Sequence, residues 1–221
     1  MSSSQRLTTT SYAILGLIAI KPWSTYELTR QMEWSLSRFW PRARSKLYEE
    51  PKKLERLGLA SSRTETTGER TRTVYSITTE SRRALSAWQT EPPAGITLEA
   101  EPLLRVFLAD QGTRADTLST LAATRAWARE RNAGNLTAGR AFLTGGSQFQ
   151  ARAAPTMLVG AFLTDFYKLV ADWADWASGQ VAEWPDDPAS AKPNYDQMRA
   201  IVDRAEWSEN SPPRPADHRQ H

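Results

Sequence analysis

Residues 45–77, SKLYEEPKKLERLGLASSRTETTGERTRTVYSI, carry a helical pattern that stops at a glycine and gives way to alternating, β-branched sequence. Leu47, Leu54 and Leu57 fall within about 80° at 100° per residue, so they share one face of a helix that starts near Ser45. Ser45, Glu49, Lys52 and Arg56 lie opposite, flanked by Tyr48 and Lys53. Gly58 suits the residue just past a helix end, where the backbone turns left-handed. Residues 59–65 and 71–77 then read as two short strands. Residues 66–70, with Gly68 among them, read as the hairpin loop between them.

Working outward, residues 8–20, TTTSYAILGLIAI, predict a short helix with two apolar faces. Tyr12, Leu15, Gly16 and Ala19 form one, and Ile14, Leu17 and Ile18 the other. Such a helix is buried on both sides, either deep in its domain or against a second subunit. Tyr12 and Leu15 are the candidates for the subunit contact. Lys21-Pro22-Trp23 breaks the pattern. Ser24 and Glu27 have capping-box spacing for a helix over 25–40, with Leu28, Met32, Leu36 and Phe39 as its inner stripe. Pro41 ends that helix. Beyond the hairpin, Thr78 is placed to cap a helix over 79–89, with Glu80 favourable in its first turn. Three helices, a hairpin and a helix make a winged helix-turn-helix. In that fold the third helix enters the major groove and the hairpin follows the backbone or minor groove.

Over residues 12–89 the sequence resembles the PadR family of bacterial repressors. The matching pieces are YAILGLIAIKPWSTYEL at 12–28, RFWP at 38–41, LY at 47–48, LERLGLA at 54–60 and RTVYSITTESRRAL at 72–85. The resemblance implies operator binding, a dimer formed through C-terminal helices, and an aromatic small-molecule effector. Two positions depart from the family pattern. The proline that often follows the LY pair stands at 51, after Glu49-Glu50, and Ser81 replaces a glycine. A proline inside a helix removes one backbone hydrogen bond and typically costs about 3 kcal/mol. The expectation is therefore a bend at Pro51 or a later helix start.

Affinity for duplex DNA comes largely from Lys and Arg on phosphates, while base edges carry sequence choice. Arg42, Arg44, Ser45, Lys46, Tyr48 and Lys52 crowd the start of the third helix, and Arg42 or Arg44 suits guanine O6 and N7. Thr25 and Tyr26 are placed to offer an amide or hydroxyl to a phosphate. Arg63, Arg70 and Arg72 belong to the wing. Plainer readings stay open: a solvated basic helix end, Tyr48 packed over Leu47 and the wing, and wing arginines paired with Glu65 or Glu69. Residues 1–90 hold 15 Lys and Arg against 8 Asp and Glu, and residues 91–221 hold 13 against 17. A basic first part joined to an acidic second part points the first toward a polyanion.

Residues 90–96, TEPPAGI, form a joint, so the expected domains are 1–90 and 91–207, followed by a disordered tail at 208–221. The second domain reads as all-helical, with helices over 98–110 (or from Pro102), 114–143, 155–182 and 194–206. Phe162, Phe166, Leu169, Trp173 and Trp176 recur at spacings that suit a helix-on-helix seam. That seam serves either a homodimer or packing on the 114–143 helix. A two-fold dimer sets two recognition helices about one DNA turn apart. Nine tryptophans, among them Trp23, Trp34, Trp40, Trp88 and Trp127, suit a pocket for a planar effector or an ordinary core.

The expected fold class is mainly α with a small β-hairpin wing, joined to a C-terminal all-helical dimerisation domain. The sequence contains no cysteine, which excludes disulfides, thiolate zinc sites and cysteine nucleophiles. Its two histidines are His218 and His221, both in the expected tail. No nucleotide-binding or hydrolase motif is present, and Asp186-Asp187 reads as a turn. No enzyme, cofactor or metal is expected. No apolar run reaches about 18 residues, and MSSSQRL lacks a signal-peptide pattern. The expected place is the bacterial cytoplasm, on the nucleoid when bound to DNA. A protein–protein adaptor built on the same winged helix is the alternative.

Overall fold

The computed structural model describes residues 7–41, 43–67 and 70–206. The chain divides between Ile96 and Thr97 into two compact units. The N-terminal unit contains α1 (Thr9–Ile20), β1 (Trp23–Ser24), α2 (Thr25–Trp34), a 3-10 turn (Leu36–Arg38), α3 (Arg44–Arg56), β2 (Ala60–Thr67), β3 (Arg70–Ile77) and α4 (Thr79–Trp88). This is a winged helix-turn-helix.

Hydroxyl caps start most of these helices. Thr8 and Ser11 cap α1 reciprocally, Ser24 and Glu27 do the same for α2, and Thr78 accepts from the Ser81 N–H at α4. Ser81 is fully buried and its hydroxyl donates to the Leu59 carbonyl. The serine thus ties α4 to the start of the wing, which a glycine could not do.

α2 stops at Trp34, shorter than the expected 25–40. The Ser35 N–H donates to the Gln31 and Met32 carbonyls, and the Ser35 and Ser37 hydroxyls donate back to the carbonyls of Gln31 and Glu33. Such back-bonding competes with helix propagation. The inner stripe accordingly ends at Met32, and Phe39 is 46% exposed. Pro51 neither interrupts nor delays α3, which runs through it from Arg44. Leu47, Pro51 and Leu54 follow one another along the buried face, so the proline ring acts as a core side chain that offsets the missing hydrogen bond.

The wing is a three-stranded antiparallel sheet in the order β1-β3-β2. The hairpin register runs from Ala60 opposite Ile77 to Thr67 opposite Arg70. The third strand pairs Trp23 with Tyr75 and Ser24 with Val74. Two residues are too few for any periodicity, so the sequence reads this strand only as a break. Trp23 is buried there, with its indole N–H donating to the Leu17 carbonyl at 2.9 Å.

The Ile14, Leu17 and Ile18 face of α1 is buried and its other face is half-buried around Leu15, and the helix packs on α3, β3 and α4. Leu15 is 0% exposed, so it has no surface to give a second subunit. Tyr12 is half-buried, its ring stacked on Trp88 with centroids 4.7 Å apart. Each fully buried leucine or isoleucine contributes roughly 1.5–3 kcal/mol.

The C-terminal unit contains α5 (Glu101–Phe107), α6 (Arg114–Leu143), α7 (Ala153–Ala182) and α8 (Tyr195–Ala205), with short 3-10 turns between them. Thr113 and Asp116 form the capping box of α6, and Gly145 at φ 73° follows its end. Gly134 and Gly139 do not interrupt it. α6 and α7 pack antiparallel along their length: Arg125 pairs with Asp175 at 2.8 Å, and the Asn135 amide donates to Thr164 Oγ1 at 2.8 Å. Leu121 of α6 meets Ala177 and Val181 of α7 at one end, with Trp173 packed against them. The expected tail lies outside the described residues.

Candidate nucleic-acid interface

α3 differs from its neighbours at its start. Its N-cap is Ala43, which has no side chain able to accept a hydrogen bond. The first turn therefore has no side-chain cap, and the positive end of the helix dipole there favours an anion. Arg44, Ser45, Lys46, Tyr48 and Lys52 are all exposed on this helix. Arg42 lies outside the described residues. The structure thus brings five of the six expected α3 residues to one accessible helix end and its first turns.

α3 is held in place from behind. Glu50, on its less exposed side, accepts from the buried Ser11 hydroxyl of α1 and from Lys53 at 3.1 Å. Glu55 accepts from the Ser62 hydroxyl of β2. These carboxylates anchor the helix to α1 and the wing, so the charges on its outer face project from a fixed scaffold.

Between α2 and α3 lies a cleft of about 280 Å³ lined by Tyr26, Thr29, Arg30, Glu33, Arg44 and Tyr48. Tyr26 is 63% exposed and Tyr48 40% exposed, so Tyr48 is not packed away under the wing. Thr25, at the start of α2, is half-buried. Arg30 and Glu33 were not among the expected site residues. They sit four and seven residues past Tyr26, the helical spacing that puts them on its face.

The arginines meet carboxylates. Arg44 forms a two-point ion pair with Glu33, through Nε to Oε1 and through Nη2 to Oε2 at 2.7 Å. This donation holds the Glu33 carboxyl below its ordinary range. On the wing, Arg63 Nε donates to Glu65 Oε1 at 2.8 Å, and Arg72 Nη2 to Glu65 Oε2 at 2.9 Å. Glu65 is likewise held below the usual carboxylate range, first by Arg63 and then by Arg72. Arg72 Nη1 also lies 3.5 Å from Glu27 Oε1. Of the two readings of the wing arginines, pairing with Glu65 is the one observed for Arg63 and Arg72. Arg70 starts β3 beside Thr67, and only its backbone is described.

The second group of expected residues lies on α7. Leu163, Tyr167, Ala174, Ala177 and Val181 are its buried residues. The expected seam sits about 100° away around the helix. Phe162 is 54% exposed, Leu169 65% and Trp176 41%, while Phe166 and Trp173 are half-buried. Phe162 and Phe166 stack with centroids 6.4 Å apart. Phe162, Leu169 and Trp176 therefore form an apolar stripe beside the α6 contact, while Trp173 packs against Leu121 of α6 within it. Trp23 is core, Trp88 covers Tyr12, and Trp127 meets Tyr167 edge-on at 5.8 Å.

Among the described residues no group of acidic side chains and histidines is arranged to hold a metal ion, and no helix is long and apolar enough to cross a membrane. Residues 14–87 match the Transcriptional regulator PadR-like family, a family of regulators and not of enzymes. No curated protein matches the sequence. Among solved structures, the chain is similar to Bacillus subtilis PadR in complex with operator DNA, at TM-score 0.67 and 20% identity over 79% of this chain and 99% of that one. It is similar to the PadR-like transcriptional regulator BC1756 from Bacillus cereus at 0.64 and 15%, over 78% and 97%. The B. subtilis PadR complex with p-coumaric acid matches at 0.62 and 20%, over 80% and 100%. At these identities the likeness is one of fold.

Proposed function

We propose that this chain, whose residues 14–87 match the Transcriptional regulator PadR-like family, acts as a two-fold dimer repressing transcription at a palindromic operator. It works in the bacterial cytoplasm and leaves the operator when an aromatic small molecule binds. The observation that carries the reading is the exposed basic start of α3, with its uncapped first turn. In this reading α3 lies in the major groove. Lys46, Lys52, Tyr26 and Tyr48 meet phosphates, Arg44 meets a base edge, and Arg63, Arg70 and Arg72 follow the backbone beside the wing. The apolar stripe on α7 supports the dimer, and the p-coumaric acid complex of B. subtilis PadR supports an aromatic effector.

Genome-wide recovery of bound fragments identifies the operator, and a reporter placed behind it reads the sign of regulation. Replacing Arg44 and Lys46 with Ala is expected to abolish operator binding while circular dichroism and dimer mass stay unchanged. Unaltered affinity in that double variant overturns the assigned surface. Titration of duplex DNA across salt concentrations separates this function from a protein–protein adaptor. A regulator loses affinity steeply with salt, and an adaptor binds no duplex even at low salt.

A further inference from the structure

Three arginines of the proposed DNA-facing surface, Arg44, Arg63 and Arg72, share one geometry. Glu33 takes the Nε and Nη2 edge of Arg44. Glu65 takes the same edge of Arg63, at 2.8 and 2.6 Å, and of Arg72, at 3.2 and 2.9 Å. These are exposed pairs: the Arg44, Arg63 and Arg72 side chains are 73%, 64% and 48% accessible. They add little to stability, so their consequence lies elsewhere.

Two effects follow from the pairing. First, each carboxylate cancels charge that would otherwise displace counterions from a phosphate, which is the source of sequence-independent affinity. Second, a guanidinium gripped on its inner edge cannot swing freely, and its outward Nη groups keep a fixed direction. Two N–H groups side by side are what guanine O6 and N7 accept. We infer that Glu33 and Glu65 are positioning residues that determine specificity: Glu33 turns Arg44 into an oriented base-edge donor, and Glu65 fixes Arg63, and together with Glu27 fixes Arg72, in register beside the backbone, where each would otherwise be a mobile phosphate-neutralising charge. The inference rests on the proposed DNA-binding function. The phosphate attraction is left to lysines such as Lys46 and Lys52, exposed on the same helix.

The test compares the full chain with its E33Q/E65Q variant. Glutamine keeps the shape and removes the charge. Affinity for a random-sequence 30-base-pair duplex is measured by fluorescence anisotropy at several salt concentrations. Selectivity is measured as enrichment from a pool of randomised duplexes. The variant is expected to bind the random duplex about tenfold tighter, with a salt dependence steeper by about 0.9 for each arginine freed onto a phosphate. Its enrichment of any one sequence should fall. E33Q introduced into an R44A background should leave random-duplex affinity unchanged, because no guanidinium is there to free.

An equal gain in the R44A background means generic charge removal and overturns the inference. So does unchanged random-duplex affinity or unchanged enrichment in E33Q/E65Q when the wild-type chain binds. Absence of duplex binding by the wild-type chain and the variant alike overturns the DNA-binding function itself, and the inference with it.

Discussion

In the N-terminal unit, Ile14, Leu15, Leu17 and Ile18 of α1, Leu28 and Met32 of α2, and Leu47 and Leu54 of α3 are all buried. In the C-terminal unit, α7 buries Leu163, Tyr167 and three small or branched residues, and leaves Leu158, Phe162, Leu169 and Trp176 exposed. α8 buries none of its residues and exposes Tyr195, Met198, Ile201 and Val202. The contrast is geometric. Helices stacked over a sheet can enclose a core within some ninety residues. Two long antiparallel helices share a single seam, so any further apolar stripe on either one stays uncovered. The first unit encloses its core within one chain, and the second leaves apolar residues of α7 and α8 exposed.

The largest effect should come from the uncovered stripe. L169E/W176E is expected to convert the dimer to monomer by light scattering and to weaken operator binding by about 10²-fold or more, because the two recognition helices no longer act together. A dimer of unchanged mass breaks the comparison. Next, Leu54→Ala in the closed core should cost about 2–5 kcal/mol, read as a drop in the urea midpoint. Leu169→Ala, measured at a dilution where the chain is monomeric, should stay within about 0.5 kcal/mol. Similar losses at the two leucines would show that the second unit is closed as well.

The helix caps sharpen the comparison from the other side, since both units use the same device. Ser24→Ala and Thr113→Ala should each cost about 1 kcal/mol. The smallest effect concerns acid. Glu27 is held below its ordinary value of 4.5, first by the Ser24 hydroxyl and then by the Ser24 N–H. A carboxyl lowered in the folded state stabilises above its unfolded pKa, and the gain disappears as pH falls through the folded one. The N-terminal unit should therefore lose a little urea resistance as pH drops below about 4.5, and E27Q should flatten that loss.

What the sequence made legible follows from what is encoded locally. The boundaries at Thr78, Thr113 and Gly58 are written in single residues whose chemistry stops or starts a helix, and the structure keeps all three. Leu47 and Leu54 were readable as core from spacing alone. β1 was not, because Trp23-Ser24 is a strand only by virtue of Tyr75 and Val74, some fifty residues away. Glu33 escaped notice because its partner Arg44 belongs to the next helix, and no periodicity links the two. On α7 the aromatic spacing marked a genuine stripe but could not say which face α6 takes. That choice fell to Ala174 and Ala177, whose small side chains allow close approach, with Leu163 and Tyr167 buried on the same face.

Ser24 holds two offices at once. It is the last rung of the sheet, opposite Val74, and the residue that begins α2. A tug on the wing is thereby transmitted to the first turn of α2 through one amino acid, without slack. The hairpin and α2 are coupled mechanically, so the wing and the helix that precedes α3 move as a single stiff lever.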